Sequence, residues 1–516
     1  MNRVTSDRQL SRRSALAAPA VLLAGQRLNA AQQKPNVVVF ISDQQRQDTL
    51  GCYGNPLVRT PNLDRLAERG ARFDNAFCTT PLCSPARASI FTGVYPHRHG
   101  IVDLWGKIPS ALGPVPGWKT PSREQLPWMG ELFSQAGYHT AYCGKWHCLT
   151  GARRPGFAET LSRYGDPDDV EEPGQDDFAA AAARKGYRFS GHAHSAYSSK
   201  GPRYGVSIFA LEDHPDTYLV EKACEFLRRK HDRPFLLVVS VNSPHSPYAP
   251  PKPYDTMYDP RSIRLPENTR VFANPRRPIP LRGHPGGWKS AQQSSREELQ
   301  GAWACYLGMV SHIDNLIGRM MAAIETTGRA GNTVFLYTTD HGDTMGSHRL
   351  QDKGPFMYDT VARIPLLISW PGRVRSTWVS TPVSQADVLP TLLDFAGIRD
   401  PARRDGRSLA PALAGDATLE DRPIFCEYNR FYGEHFPVRA IVTRRHKYVH
   451  YFGPEGELFD RQEDPEEIHN LLFDPGYRQT LSSLQKQLFA HLLRSGDPYA
   501  ALLTGEERRL AATATR

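Results

Sequence analysis

The sequence predicts an α/β fold with a large mixed, mostly parallel sheet flanked by helices, followed by a smaller C-terminal α+β subdomain. Short β-branched runs that end in polar residues alternate with amphipathic helical segments, and this alternation favours parallel strands. The pattern changes after about residue 415. A chain of 516 residues is also too long for one small domain and suits one large α/β domain with a smaller partner.

The first predicted strand is "NVVVFISD", residues 36–43. Its β-branched run is typical of a strand buried on both faces, with Asp43 at its carboxyl tip. The next segment, "TPNLDRLAERG", predicts a helix with Thr60 as its N-cap and Gly70 as its stop.

Further strands and helices follow in alternation. The helical segments are "EQLPWMGELFSQAG", "HPDTYLVEKACEFLRRK" and residues 296–327, and the strands are "YHTAYCG", "PFLLVVSV", "NTVFLYTT" and "RIPLLISW". Three of these strands lead into residues able to do chemistry, namely Lys145 and His147, then His245, then Asp340 and His341. Because α/β sheets place their sites at the carboxyl ends of strands, we expect these residues to converge with Asp43.

The C-terminal segments are shorter and predict an antiparallel sheet. "RPIFCEY", "VRAIVTRRHKYVHYF" and "ELFDRQEDPEEIHNL" indicate its strands, and a helix is predicted near residues 477–495. We therefore divide the chain into a leader at 1–31, a main domain at 34–415 and a C-terminal subdomain at 416–510.

The leader contains "SRRSALAAPAVLLAG", in which paired arginines precede an apolar stretch. This pattern is typical of a twin-arginine export signal, which predicts a periplasmic or extracellular protein. The alternative is a disordered basic tail. No apolar run after residue 30 approaches the ~20 residues of a membrane span, so no membrane span is expected.

The chain without its leader is mildly basic, which fits an acidic substrate but does not require one. The formal net charge is +9, and residues 1–31, with five arginines and one aspartate, account for +4 of it. The remaining charge of about +5 is compatible with an acidic substrate. Since no stripe of Lys and Arg with interleaved aromatics is present, no nucleic-acid partner is expected.

The eight cysteines are too dispersed for a zinc ribbon or a disulfide scaffold. A twin-arginine substrate folds in a reducing compartment, so few or no disulfides are expected. Cys83 is the cysteine of most interest, because it lies between two prolines in "PLCSPARASIFTG". From the residues alone it could be a reactive thiol, half of a disulfide, a buried hydrophobe or a modified residue.

The segment at residues 83–93 resembles the signature of the sulfatase family, a branch of the alkaline phosphatase superfamily. It has Cys83, Pro85, Arg87 and a terminal Thr92–Gly93 at the family's spacing. The resemblance continues through "GKWH", "PHSPY", "TTDHGDTMGSH", "DKG" and "ELFDRQEDPEEIHNL", and covers about residues 35 to 475. It implies an alkaline-phosphatase-like fold and a sulfuric ester hydrolase.

The resemblance implies that Cys83 is oxidised to formylglycine by a separate enzyme, a formylglycine-generating or anaerobic sulfatase-maturating enzyme. A hydrated aldehyde carries two hydroxyls on one carbon. One hydroxyl attacks sulfur, and deprotonation of the other expels sulfate by C–O cleavage. A thiol has no second hydroxyl on the same carbon, so it cannot expel sulfate in this way.

The resemblance also implies one divalent cation, with calcium expected. The residues that match the family's metal positions are Asp43, Gln44, Cys83 in its converted form, Asp340 and His341. Gln44 replaces a second aspartate of the commonest pattern and His341 replaces a frequent asparagine. The first change removes a negative charge and the second replaces an oxygen ligand by a nitrogen ligand, so magnesium or manganese stays open.

The catalytic residues implied by the resemblance are Cys83, Arg87, Lys145, His147, His245 and Lys353. Arg87 would bind the hydrate and the metal ligands, and the two lysines would hold sulfate oxygens. His147 would be the base of the second step. His245, assisted by Lys353, would protonate the leaving alcohol.

The expected substrate is a sulfate monoester of a small molecule or an oligosaccharide, such as a fragment of a sulfated polysaccharide. One alternative is a phosphate or phosphonate monoester hydrolase of the same superfamily. Another is an exported binding protein without catalysis.

Overall fold

The computed structural model describes residues 34–104, 124–148, 154–162, 177–188, 202–271, 294–431 and 434–515. The predicted leader at 1–31 lies outside these residues. Among the described residues, none of the helices combines the length and the apolar character that a bilayer-crossing segment needs.

An eight-stranded mixed sheet forms the centre of the fold, with strands in the order β5-β4-β6-β1-β7-β8-β2-β9. Five neighbouring strands, from β5 to β7, run parallel, and β8 runs antiparallel to both of its neighbours. The strands are β1 (Asn36–Ser42), β2 (Ala71–Phe73), β4 (His139–Gly144), β5 (Glu159–Ser162), β6 (Phe235–Ser240), β7 (Thr333–Thr339), β8 (Leu366–Ser369) and β9 (Thr377–Val379), with β3 (Ala76–Phe77) and β10 (Val383–Ser384) forming a separate pair. The predicted mixed, mostly parallel sheet is confirmed.

Helices cover both faces of this sheet. They are α1 (Pro61–Glu68), α2 (Cys83–Thr92), α3 (Pro96–His99), α4 (Met129–Gln135), α5 (Asp177–Arg184), α6 (Pro215–Arg228), α7 (Arg296–Thr326), α8 (Asp359–Ala362), α9 (Val388–Phe395) and α10 (Ala410–Ala414). Alternate residues of β1 enter two cores: Val39 packs with α2, α4 and α9, whereas Phe40 packs with α1, α6 and α7. Burial on both faces explains the unbroken apolar run in this strand.

Helix α1 begins at the predicted position but is capped differently. The Thr60 side chain does not cap the helix; its hydroxyl accepts from Gly51 N and donates to Asp64. Instead, Asp314 of α7 accepts hydrogen bonds from the backbone N–H groups of Asn62 and Leu63. The carboxylate therefore satisfies two open donors of the first turn and favours the positive end of the helix dipole.

The C-terminal part contains the predicted antiparallel sheet, which has four strands in sequence order. They are β11 (Ile424–Phe431), β12 (Glu434–Val442), β13 (His446–His450) and β14 (Gly456–Asp460), and the helices α11 (Arg478–Ser495) and α12 (Gly505–Ala512) follow. Glu427 N donates to Thr79 O, which joins this sheet to the loop before Cys83. All eight cysteines are free thiols.

Candidate active site at the carboxyl edge of the sheet

Four adjacent parallel strands place the predicted polar residues at one edge of the sheet. Asp43 follows β1, Lys145 follows β4 and Asp340 follows β7, whereas His245 lies in the loop after β6. The strand order β4-β6-β1-β7 makes these tips neighbours, and the register pairs the last residues of β4 and β6. The structure thus brings together residues separated by up to about 300 positions in the chain.

Cys83 reaches this edge as the first residue of α2. It is buried, and its Sγ lies 3.1 Å from Nε2 of His341 and 4.0 Å from Oδ1 of Asp43. Ligand atoms of Asp43, Cys83, Asp340 and His341 all lie within 4.8 Å of one another. The start of the helix, with its partial positive charge, favours an anion beside residue 83.

Arg87 joins the two carboxylates of this cluster one turn further along α2. Its Nη2 lies 2.7 Å from Asp43 Oδ2, its Nε 2.9 Å from Asp340 Oδ2, and its Nη1 donates to Ser240 Oγ at 2.7 Å. All three charged side chains are fully buried. Burial opposes their charges, but the mutual attraction is stronger: it raises the pKa of Arg87 and, with Lys145, holds the pKa of Asp43 well below its usual range.

Lys145 adds a second cation to the same carboxylate. Its Nζ lies 2.8 Å from Asp43 Oδ2 and donates to Asn242 Oδ1 at 3.2 Å. The lysine and Arg87 together place two positive charges on Asp43. Two positive charges around one carboxylate favour the binding of a further anion at this place.

His341 is fixed by its backbone neighbour and by charge. Its Nδ1 donates to Gly342 O at 2.8 Å, which turns Nε2 towards Cys83. Burial alone would lower the pKa of His341, but Asp340 and the Cys83 sulfur raise it to about 9.

Gln44 adopts a left-handed backbone conformation with φ of 60° and directs its amide between two charged groups. Its Nε2 donates to Asp343 Oδ2 at 2.6 Å, and its Oε1 accepts from Lys353 Nζ at 2.6 Å. Tyr248 donates to the same Asp343 oxygen at 2.6 Å. The carboxylate and the lysine both select the same orientation of the amide, with oxygen towards Lys353.

Lys353 also contacts His245, with 2.8 Å between Nζ and Nε2. The other ring nitrogen of His245 donates to Ser246 O at 2.6 Å. Burial and the charge of Lys353 lower the pKa of His245 to about 3, so the ring is neutral near pH 7. In this state the proton belongs to Lys353, whose pKa is raised, against its burial, chiefly by Asp352.

His147 is buried at the end of the β4 loop, in a left-handed conformation with φ of 52°. Burial, together with Lys145 and Arg87, lowers its pKa well below the usual value. His147 is therefore a neutral base close to the cationic side of the site.

The donor set of this site fits a hard divalent cation. Carboxylates from Asp43 and Asp340, the amide of Gln44 and the imidazole of His341 are ligand types that such cations accept. Oxygen donors predominate, as calcium, magnesium and manganese prefer.

A second buried cluster of potential ligands among the described residues has a different character. His97, Glu427 and Asp497 also lie together, but Arg439 binds both oxygens of Asp497, at 2.5 and 2.9 Å. His97 Nδ1 lies 2.7 Å from Glu427 Oε2. This cluster is an ion-pair network, in which Arg439 and His97 already bind the carboxylates that a cation would need.

Sequence reasoning missed several residues that shape the site. Ser240 binds Arg87, Asn242 binds Lys145, and Asp343 binds Gln44. Ser240 and Asn242 lie at the carboxyl end of a predicted strand, and this position was a usable signal. Asp343 lies within "TTDHGDTMGSH", but its partner, Gln44, is 299 residues away in the chain.

The fold and the site define an alkaline-phosphatase-like α/β enzyme, and comparison with known proteins gives its family. The sulfatase profile matches residues 35–398, and the profile of the N-sulphoglucosamine sulphohydrolase C-terminal region matches residues 346–493. The chain therefore belongs to the sulfatase family and is an enzyme of the sulfatase type.

Individual relatives agree with this assignment. The uncharacterized sulfatase YidJ of Escherichia coli K12 is 32% identical over 493 residues, covering 90% of this chain and 89% of that protein. The ulvan-active sulfatase of Formosa agariphila is 31% identical over 482 residues, covering 90% and 82%. The crystal structure of the phosphonate monoester hydrolase of Agrobacterium radiobacter has a TM-score of 0.73 at 24% identity, covering 91% and 96%, and shows the same fold.

Proposed function

We propose that this sulfatase hydrolyses sulfate monoesters of carbohydrates, with residue 83 acting as formylglycine and one divalent cation bound beside it. The observation that carries the proposal is the position of Cys83. Its sulfur lies at the start of a helix, next to two carboxylates that are already neutralised by Arg87 and Lys145. The sulfur marks the place of a hydrate oxygen in the converted residue.

The charged and the neutral side chains of the site have different roles in the proposed reaction. Arg87 holds Asp43 and Asp340 in place, and Lys145 and Lys353 bind the oxygens of the sulfate group as point charges. His147, neutral and buried, accepts a proton from the nucleophilic residue. Lys353, beside His245 Nε2, holds the proton that this pair supplies to the leaving oxygen.

Asp43, Gln44, Asp340 and His341 would hold the cation. When bound, it would offset the negative charge of the sulfate group and of the leaving oxygen. Calcium is proposed first, because the donors are mainly oxygen. Since Gln44 is uncharged and His341 would bind the cation only after losing the proton on Nε2, magnesium and manganese belong in the same test.

The carbohydrate class is supported by the relatives. One matching profile is named for N-sulphoglucosamine sulphohydrolase, and one relative is named as ulvan-active. We further propose export through the twin-arginine leader at 1–31 and a division into domains at 34–415 and 416–510. Fractionation of host cells after pairwise replacement of Arg12 and Arg13 by lysine tests export.

The test of function compares purified wild-type protein on matched aryl sulfate, aryl phosphate and aryl phosphonate, followed by a panel of sulfated sugars. We expect aryl sulfate to be hydrolysed best by kcat/KM. Dominant turnover of phosphate or phosphonate would establish the alternative hydrolase, and no turnover with retained sulfate binding would favour a binding protein.

The test of the nucleophile is mass spectrometry of the peptide containing residue 83, from protein made in its native host. Conversion to formylglycine is expected there; a foreign host without the maturation enzyme leaves cysteine. Cys83→Ala abolishes turnover with the fold intact, and Cys83→Ser does nearly the same unless the host enzyme accepts serine. Cys305→Ala on α7, outside the site, is the matched control and retains activity.

A further inference from the structure

Asp216 lies in the first turn of α6 and is only 1% exposed. It is outside the set of residues that contact the reacting group. One carboxylate oxygen, Oδ1, accepts from the backbone N–H of Asn242 at 3.1 Å. The other, Oδ2, accepts from the hydroxyl of Ser243. The carboxylate therefore binds two consecutive residues of the loop after β6.

These two loop residues lead directly to the proposed reacting groups. Asn242 Oδ1 accepts from Lys145 Nζ at 3.2 Å, and Ser243 O accepts from Asp43 N at 3.1 Å. The same loop carries His245, whose N–H donates to Asn242 O at 3.0 Å. One carboxylate thus supports a sulfate-binding lysine, a metal-binding carboxylate and a proton-transfer histidine.

The chemistry of this contact suits a carboxylate. Both oxygens accept from donors on different residues, whereas an amide would accept from one of them only and the Ser243 hydroxyl would have to turn and accept from the amide N–H. The negative charge of Asp216 is also favourable at this position, because the first turn of a helix stabilises an anion. His214, 3.9 Å from Oδ2, has its pKa lowered by burial to about 3 and is neutral near pH 7.

We propose that Asp216 is a positioning residue that fixes Lys145 and His245 for the reaction through Asn242 and Ser243. This inference rests on the proposed function, because it assigns Lys145 to sulfate and His245 to the leaving group. A shift of about 1 Å in such groups is enough to slow catalysis about 100-fold.

The experiment compares Asp216→Asn with Asp314→Asn in the full mature chain. Asp314 is the matched control, since it is also a buried aspartate that binds backbone N–H groups, but at α1 and away from the site. We expect Asp216→Asn to lower kcat about 100-fold on aryl sulfate. Asp314→Asn should lower the midpoint of thermal unfolding by at least as much as Asp216→Asn does. Unlike Asp216→Asn, it should leave kcat unchanged. Equal losses of kcat in both variants, or an unchanged kcat in Asp216→Asn, would overturn the proposal.

A binding measurement separates this inference from the proposed function. Titration calorimetry with inorganic sulfate should show weaker binding to Asp216→Asn than to wild type, because Lys145 loses its support. If the wild type binds sulfate but hydrolyses no sulfate ester, the proposed function fails while the positioning claim is still decided by this comparison. Unchanged sulfate affinity would overturn the claim that Asp216 positions Lys145 through Asn242.

Ser243→Ala keeps the proposal testable if Asp216→Asn does not fold. It removes one of the two bonds to the carboxylate and should by itself lower kcat on aryl sulfate relative to wild type; an unchanged kcat would overturn the proposal. Where both variants fold, the loss should be smaller than in Asp216→Asn, and the two losses should not add in the double variant, because both act through the same contact. Fully additive losses would show that the two residues act separately.

Discussion

Nζ of Lys353 lies 2.8 Å from Nε2 of His245, and the lysine is the donor in this pair. His245 also donates through Nδ1 to Ser246 O, so Nε2 is its acceptor nitrogen. With its pKa lowered to about 3, the histidine cannot be the resting store of the proton near pH 7. The simple expectation of a protonated histidine as the acid is therefore refined: Lys353 holds the proton and His245 lies next to it.

This pair predicts a dependence on the leaving group. His245→Ala should slow hydrolysis of a sulfated sugar by about 100-fold or more, because an alkoxide leaving group needs a proton. The same variant should slow 4-nitrophenyl sulfate much less, since that phenolate leaves without one. The measurement is kcat for both substrates, with His231→Ala, at a partly buried site on another surface, as the control.

An equal loss on both substrates would contradict the proton-transfer role of His245 and indicate a role in binding alone. Lys353→Met should show the same selectivity with an added rise in KM, since Lys353 is also assigned to the sulfate oxygens.

The contact between Gln44 and Asp343 predicts an unusual pair of variants. Gln44→Glu alone would place a carboxylate oxygen 2.6 Å from Asp343 Oδ2, where two buried negative charges repel. We expect lower stability in this single variant. Adding Asp343→Asn restores a donor for the new carboxylate, so stability should recover. The site then carries one more charge beside the cation, so calcium affinity should rise.

Urea unfolding and calcium titration calorimetry of chelator-treated protein measure these two effects. Asp343→Asn alone is the control for the second substitution. A double variant no more stable than Gln44→Glu would contradict the orientation assigned to the amide.

The parts of this molecule that could be predicted from its sequence are those with local signals. β-branched runs located the strands, and the polar residue directly after each run located Asp43 and Asp340 at the tips. The long helix α7 was predicted at residues 296–327 and spans Arg296–Thr326. These features depend on neighbours in the chain, whose pattern is visible in the sequence.

The features that escaped prediction depend on distant partners. Asp314 caps α1 from 252 residues away, and Asp343 orients Gln44 from 299 residues away. Thr60 lies at the predicted N-cap position, but its side chain makes no capping bond, because the carboxylate of Asp314 satisfies the N–H groups of the first turn. Asp216 carried no sequence signal, since an acidic residue after proline in a first helical turn is ordinary.

The ion pair between His97 and Glu427 predicts a loss of stability at alkaline pH. Burial lowers the pKa of His97, but Glu427, with Asp497, raises it to about 9 against the opposing charge of Arg439. The unfolded value is about 6.5. Since the folded pKa is the higher one, the contribution is complete below about pH 6.5 and is lost as the pH rises through about 9.

Urea unfolding of wild type and His97→Gln at about pH 6 and about pH 10 measures this contribution. We expect wild type to be more stable by up to about 3 kcal/mol at the lower pH, and the difference to shrink at the higher pH. His231→Gln is the control, because the pKa of His231 is lowered and its contribution has the opposite sign. A difference that stays constant with pH would contradict a charged His97.

Arg87 predicts the largest single effect on the fold of the site. Its guanidinium binds Asp43, Asp340 and Ser240 at once, a geometry that a lysine ammonium cannot reproduce. Arg87→Met leaves two buried carboxylates short of a partner and should cost about 3–5 kcal/mol of unfolding free energy. Arg87→Lys should lie between this variant and wild type.

The matched control is Arg229→Met, which breaks the exposed pair with Glu159 and should cost less than about 1 kcal/mol. Calcium should restore part of the stability of Arg87→Met, because the cation would neutralise the same carboxylates, and it should leave the effect of Arg229→Met unchanged. Unfolding by urea with and without calcium decides the matter. If calcium stabilised Arg87→Met no more than it stabilises wild type, neutralisation of Asp43 and Asp340 by the cation would be contradicted.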